Sequence, residues 1–152
     1  MSNRAFTLIE ILIAVAIIAV LIGVGIPNFL GIRTRARDAR RKSDVSQLQK
    51  SIELFKEDQD PPVYPDDAFM DGLCRQCWSQ SADGTCGGNV YIRKLPCDPQ
   101  SGNPYFYVRN PDDSLQYTLV ACLENSEDSD KDPVADPACV SMDKVSYTIY
   151  EP

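Results

Sequence analysis

Hydrophobic residues are concentrated near the start of the chain, where residues 6–26 contain a single charge, Glu10. A helix of about 20 residues crosses the ~30 Å hydrocarbon layer of a membrane. Pro27 follows this run directly, without the small-x-small cleavage site that ends a secretory signal. The pattern therefore predicts a retained membrane helix over residues 6–27, preceded by a short polar leader over residues 1–5.

A second apolar pattern lies in the polar sequence that follows. Its members recur at steps of three, four and three residues, and they are Val45, Leu48, Ile52 and Phe55. This spacing places them on one face of a helix. We expect an amphipathic helix over residues 28–58 that continues the first one, with Pro27 bending or locally opening the helix because proline removes a backbone donor.

Four short runs rich in β-branched and aromatic residues follow the helix. They cover residues 90–94, 105–109, 117–123 and 145–150 and are separated by turn-forming residues. We expect one small antiparallel sheet that covers the apolar face of the helix, within a globular head over residues 59–152. The predicted fold is α+β, with a long protruding N-terminal α-helix packed against a small antiparallel β-sheet.

The charges divide the chain into a basic and an acidic part. Residues 1–56 carry nine Lys/Arg and four Asp/Glu, a net charge of +5. Residues 57–152 carry six Lys/Arg and eighteen Asp/Glu, a net charge of −12. An acidic head repels nucleic acid, so direct nucleic-acid binding is not expected. The basic stretch over residues 33–42 suits anionic lipid or the acidic head of a neighbouring copy, and Asp38–Lys42 and Arg40–Asp44 have the spacing of helical ion pairs.

The chain contains six cysteines and no histidine, and every cysteine lies in the head. An even number of cysteines in a loop-rich segment indicates a disulfide framework in an oxidising compartment. We expect Cys122 to pair with Cys139 and the other four to pair among themselves. Two alternatives remain open for these four, a redox C-x-x-C pair or a zinc site, and they are Cys74, Cys77, Cys86 and Cys97.

Glu10 is the residue whose position demands an explanation. A carboxylate in an apolar membrane helix costs a few kcal/mol even on lenient scales and usually has a partner. Cleavage after Ala5 would create that partner, because the new α-amino group of Phe6 is a cation at the same depth. Pairing of this amine with Glu10 of an adjacent copy would couple membrane insertion to ordered polymerisation.

The sequence F-T-L-I-E at residues 6–10, followed by the apolar run and Pro27, resembles the N-terminal signature of type IV pilins and type II secretion pseudopilins. The resemblance implies that prepilin peptidase cuts between Ala5 and Phe6 and that Phe6 is then methylated. It also implies that Glu10 is the assembly glutamate of a homopolymer, which filament assembly machinery extracts from the inner membrane to form a periplasmic or cell-surface filament. Ala5 departs from the glycine that the family prefers at this position.

The segments 95–99 and 102–105 resemble the major pseudopilin of type II secretion, which carries a calcium site in its C-terminal region. The acidic segment over residues 124–136 is therefore either a solvated loop or a calcium site, for which the candidate ligands are Asp128, Asp130 and Asp132. No other cofactor is expected. A monomeric, membrane-anchored calcium- or ligand-binding module and a thiol oxidoreductase are the alternatives to a structural filament subunit.

Overall fold

A computed structural model of the protein describes residues 6–81 and 84–152, with the side chains of residues 24–30 left out of the description. The predicted leader, including Ala5, lies outside the described residues, and cleavage after Ala5 stays a prediction. The chain divides after Arg35 into two compact units.

The first unit contains the beginning of helix α1, which spans Leu8–Glu57. Thr7 precedes the helix, and its Oγ1 accepts a hydrogen bond of 3.3 Å from the backbone N–H of Glu10. This is an N-cap contact to the third helical residue, in a Thr-x-x-Glu sequence typical of a capping box. Glu10, the predicted assembly residue, therefore also takes part in the N-terminal cap of the helix.

Apolar side chains of this unit are exposed to solvent in the isolated chain. Leu8 is 83% exposed and Leu12 is 62% exposed. Burying such surface is the main favourable term in folding and association, so this segment requires a covering that the single chain does not supply.

Within the residues that the structure describes, no helix combines the length and the apolar character that a membrane crossing requires.

The second unit, Ala36–Pro152, contains the remainder of α1 and the whole head. Val45, Leu48 and Ile52 are fully buried, and Phe55 packs against the same core. The predicted apolar face is therefore confirmed. Removing such a buried Leu or Ile side chain typically costs 2–5 kcal/mol.

The head contains two antiparallel sheets. Strands β1 (Trp78–Ser79) and β2 (Val90–Ile92) form the first. Strands β3 (Phe106–Arg109) and β4 (Tyr117–Leu123) pair in the second, with Phe106 opposite Val120. A short helix α2 (Pro137–Val140) precedes β5 (Val145–Tyr150), which lies on the other side of β4. The α+β class, with a long helix packed against small antiparallel sheets, is confirmed.

The prediction of a single sheet is wrong, because the head contains two. The run that begins at Val90 pairs with the two-residue strand β1 and not with β3 or β5. A two-residue strand is too short to show alternation, and helix α2 is too short to show helical periodicity, so the sequence pattern revealed neither element.

Aromatic rings close the core at the C-terminal end of α1. Trp78 stacks on Phe55 at 5.4 Å between ring centroids and contacts Phe69 at 4.5 Å and Tyr91 at 5.0 Å. Aromatic pairs of this kind each contribute about 0.5–1.5 kcal/mol beyond simple burial. The small sheet β1–β2 is thereby attached to the helix through Trp78.

All six cysteines form disulfides, and the pairs are Cys74–Cys97, Cys77–Cys86 and Cys122–Cys139. The expected pairing of Cys122 with Cys139 is confirmed. The two cysteines of the C-x-x-C sequence, Cys74 and Cys77, bond to different partners, so they form neither a redox pair with each other nor part of a zinc site.

Candidate functional site

Two of the residues predicted to act in processing and assembly, Phe6 and Glu10, lie at the N-terminal end of the described chain. Phe6 is 76% exposed and the Glu10 side chain is also exposed. Among the ion pairs of the described residues, none involves the Glu10 carboxylate. The side chain of Pro27 lies outside the described residues, and its expected effect on the helix stays a prediction.

A second charged site lies within the head, centred on Arg41. This side chain is fully buried, and carboxylates from three parts of the chain surround its guanidinium group. Asp38 accepts a hydrogen bond at 2.7 Å, Asp98 at 2.5 Å and Glu124 at 2.6 Å. Arg37 adds a second contact to Glu124 at 2.5 Å. We call Arg37, Asp38, Arg41, Asp98 and Glu124 the buried ionic cluster.

Asp38 joins the helix to the chain that leaves β4. Its two carboxylate oxygens accept hydrogen bonds from the backbone N–H groups of Glu124, at 3.0 Å, and Asn125, at 2.8 Å. A buried carboxylate needs such donors, because an unpaired buried charge is strongly destabilising. The helix and the strand end are therefore connected through both side chain and main chain.

The cluster lowers the pKa of two of its carboxyl groups. Hydrogen bonds from Arg37 and Arg41 lower the pKa of Glu124 to about 2, against the opposing effect of burial. Burial would raise the pKa of Asp98, but hydrogen bonds from Arg41 and from the backbone N–H groups of Ser101 and Gln100 bring it to about 2. Both groups are therefore ionised throughout the physiological pH range.

The predictions made for the basic stretch over residues 33–42 are wrong in part. Asp38 pairs with Arg41 and not with Lys42, whereas the expected Arg40–Asp44 pair is present at 3.8 Å. Arg37, Arg41 and Lys42 contact acids of their own head. The sequence predicted that these cations contact lipid or a neighbouring copy. Their ion pairs join residues far apart in the chain, so the local spacing of charges does not predict them.

The three predicted calcium ligands are not gathered around one point. The Lys42 Nζ lies 2.8 Å from both Asp128 and Asp130, and this contact lowers the pKa of Asp128. Asp132 instead accepts hydrogen bonds from the hydroxyls of Ser146 at 2.5 Å and Thr148 at 2.6 Å. Over residues 6–81 and 84–152, no group of three or more acidic, cysteine or histidine side chains has the geometry to hold a metal ion.

Comparison with protein families identifies the first part of the chain. Residues 1–26 match the prokaryotic N-terminal methylation motif. The match covers the predicted leader, the F-T-L-I-E sequence and the apolar run. It supports the resemblance on which the processing predictions for Ala5 and Phe6 depend.

Several relatives are similar over more of the chain. The type II secretion system core protein G of Vibrio cholerae is 31% identical over 70% of this chain and 71% of its own length. That of Escherichia coli K12 is 28% identical over 88% of this chain and 90% of its own. The type IV major pilin protein PilA of Myxococcus xanthus is 38% identical over 38% of this chain and 26% of its own. No solved structure matches significantly.

Proposed function

The chain belongs to the family of the type II secretion system core protein G, and from this membership we propose that it is the structural subunit of a pilus-like filament. The subunit is made as a precursor and cleaved by prepilin peptidase after Ala5, and Phe6 is then methylated. Its role is structural and involves no catalytic step of its own.

The observation that carries the proposal is the isolated carboxylate of Glu10 in an apolar helix. Its side chain is exposed, and no ion pair of the described residues satisfies it. In a membrane such a charge is costly, and an amine on Phe6 of a neighbouring copy relieves that cost. Assembly is therefore favoured over the solitary inserted subunit.

Exposed apolar side chains at the N-terminal end of the chain also favour assembly. The large apolar side chains from Phe6 to Ile22 are each more than half exposed. Before assembly, the lipid of the inner membrane covers them. After extraction by the filament assembly machinery, equivalent helices of a homopolymer cover one another, which buries the apolar surface again in the filament centre.

The disulfides support a head that lies outside the cytoplasm. Three disulfides join all six cysteines, and such bonds persist in oxidising compartments. The subunit therefore spans the inner membrane with its head on the periplasmic side, and the assembled filament is periplasmic or on the cell surface.

The test compares the wild-type chain with Glu10→Ala, expressed together with prepilin peptidase and the assembly machinery. We expect Glu10→Ala to enter the membrane normally and to form few or no filaments, measured by electron microscopy of sheared material. Glu127→Ala is the matched control, because Glu127 is an exposed acid of the head whose carboxylate joins no ion pair of the described residues.

Mass spectrometry of the purified subunit provides an independent readout. The proposal requires a mature chain that begins at methylated Phe6. A native chain that begins at Met1 and stays monomeric in the membrane would instead support the anchored binding module. Filament formation by Glu10→Ala at the wild-type level would remove the role assigned to Glu10.

A further inference from the structure

The head has a depression between the C-terminal end of α1 and the loop that follows it. Its volume of about 380 Å³ falls within the range of about 300–1,000 Å³ that is usual for ligand pockets. Most of its lining is apolar, and these residues are Phe55, Pro65, Ala68, Phe69, Leu73 and Trp78. Phe55, Phe69 and Leu73 are only partly buried, so part of each side chain is open to an incoming group. We call this depression the aromatic pocket.

Two acidic side chains, Asp66 and Asp71, complete the lining of the aromatic pocket. Both are exposed, and neither has a side-chain hydrogen bond or ion pair among the described residues. No lysine or arginine of the described residues lines the pocket. Lys56, at the same end of α1, already contacts Glu53 and the Tyr64 hydroxyl. The pocket is therefore apolar at its base and negative at its rim.

The loop that carries the two acids is fixed by its own backbone and by the core. The N–H of Phe69 donates to the carbonyl oxygen of Asp66 at 3.2 Å, and the N–H of Asp71 donates to that of Ala68 at 2.9 Å. Met70, which lies between these turns, is 3% exposed and belongs to the core. The carboxylates are therefore presented from an ordered segment, which reduces the entropy lost on binding.

An aromatic surface with two carboxylates beside it suits a planar organic cation. The faces of aromatic rings attract ammonium and guanidinium groups. The guanidinium group of arginine is planar and weakly hydrated, so it stacks on rings while its N–H groups donate to carboxylates. The ammonium group of lysine is compact and strongly hydrated and does not stack in this way. The aliphatic stem of an arginine also covers apolar surface, so an arginine side chain matches both parts of the pocket.

We propose that the aromatic pocket binds an arginine side chain of a partner protein other than this chain. The guanidinium group packs against Phe55 and Phe69, and its N–H groups donate to Asp66 and Asp71. The net charge of −12 over residues 57–152 steers basic partners towards the head, whereas a second head carries the same charge. This inference goes beyond the proposed filament, because it assigns a docking site to the head of the subunit.

Titration of the full chain in detergent with the peptide acetyl-Gly-Arg-Gly-amide tests the inference. The readout is the fluorescence of Trp78, which lines the pocket and is the only tryptophan of the chain. We expect a saturable change with this peptide and binding that is weaker by about tenfold or more when citrulline, which has the same shape but no charge, replaces arginine. The lysine peptide should also bind more weakly than the arginine peptide. Equal affinities for the arginine and citrulline peptides, or no saturable response to the arginine peptide, would overturn the inference.

Substitutions in the pocket provide a second test. Asp66→Asn/Asp71→Asn keeps the size of both side chains and removes their charge, so the dissociation constant for the arginine peptide should rise by about tenfold or more. Glu127→Gln/Asp143→Asn is the matched control, since it removes two charges from exposed acids that do not line the pocket, and it should keep the wild-type affinity. Wild-type affinity in the pocket variant, or an equal loss in the control, would overturn the role of the two pocket acids.

Two other occupants of the aromatic pocket predict different results. Tighter binding of free L-arginine than of the peptide would assign the pocket to a small molecule and overturn the partner protein. Loss of peptide binding when wild-type subunits assemble into filaments would assign it to a second copy, whereas we expect the same affinity before and after assembly. Absence of filaments from the wild-type chain would refute the proposed function alone. The comparison of arginine with citrulline needs no substitution, so it decides the matter even if a variant fails to fold.

Discussion

The guanidinium group of Arg41 is fully buried and lies 2.6 Å from the carboxylate of Glu124. These residues belong to the helix and to the chain just after the central strand, and they are far apart in sequence. Burial alone would lower the pKa of Arg41, but the hydrogen bonds that its guanidinium group donates to Asp98, Glu124 and Asp38 raise it above its ordinary value. The arginine therefore stays charged inside the head and attaches the helix to two separate loops.

Removing the guanidinium group should destabilise the head strongly. Arg41→Met leaves Asp38 and Asp98 without their cation and leaves Glu124 with Arg37 alone. Removing one partner of a buried ion pair typically costs about 3–5 kcal/mol. Urea unfolding of the full chain in detergent, followed by the fluorescence of Trp78, measures the loss. Arg40→Met is the control, because its 68% exposed side chain should contribute less than about 1 kcal/mol. Equal losses from the two variants would contradict the role of Arg41.

Acid should weaken the head over a defined range. Glu124 and Asp98 each have a pKa near 2 in the folded protein, below their ordinary values of 4.5 and 3.8. The unfolded state therefore binds protons first, and the stabilisation is complete above about pH 5 and lost as the pH falls towards about 2. At neutral pH these shifts correspond to about 3.5 kcal/mol for Glu124 and about 2.5 kcal/mol for Asp98, since one pKa unit corresponds to about 1.4 kcal/mol.

Unfolding free energies measured between pH 7 and pH 2 test this expectation. In Glu124→Gln the unfolding free energy should fall less on acidification, because one of the two titrating groups is gone. Glu127→Gln should keep the wild-type slope, since Glu127 is exposed and its carboxylate joins none of the ion pairs of the described head. A wild-type slope in Glu124→Gln would show that other groups cause the acid sensitivity.

Lys42 should stabilise the acidic loop. Its ammonium group is shared between Asp128 and Asp130, each at 2.8 Å, and the pKa of Lys42 is raised by these contacts. Lys42→Met should lower the unfolding free energy by about 1 kcal/mol in chelator, because two like charges then lose their common partner. Lys50→Met, which removes an exposed lysine of the same helix, should have little effect.

The same samples test the calcium prediction for Asp128, Asp130 and Asp132. Ion binding to the folded state would raise the melting temperature of the wild type in proportion to the logarithm of free calcium. A larger response in Lys42→Met than in the wild type would show that lysine and calcium compete for these carboxylates.

The Cys122–Cys139 disulfide should stabilise the head by about 2–4 kcal/mol. It closes a loop of 17 residues in sequence, and Cys139 is fully buried. Cys122→Ala/Cys139→Ala should therefore melt at a lower temperature than Cys77→Ala/Cys86→Ala, whose bridge spans only 9 residues. A smaller loss from the longer bridge would contradict this ranking.

Local patterns in the sequence were sufficient for the main elements. The face formed by Val45, Leu48 and Ile52 is buried as the helical spacing predicts, and the strands Tyr117–Leu123 and Val145–Tyr150 have the predicted bounds. The helical face recurs at the period of a helix, and the two strands are short runs rich in β-branched and aromatic residues, so the information lies in adjacent residues. The assembly role proposed for Glu10 likewise rests on one charge in an apolar run.

The partners of charged and cysteine residues were decided only by tertiary structure. Arg41 contacts Asp98 and Glu124, and Lys42 contacts Asp128, through distances that depend on how the head closes over the helix. Cys74 and Cys77 are close in sequence and yet bond to different partners. Hydrogen bonds and ion pairs are directional and short-ranged, so their partners are determined by the packed chain and leave no periodic signal in the sequence.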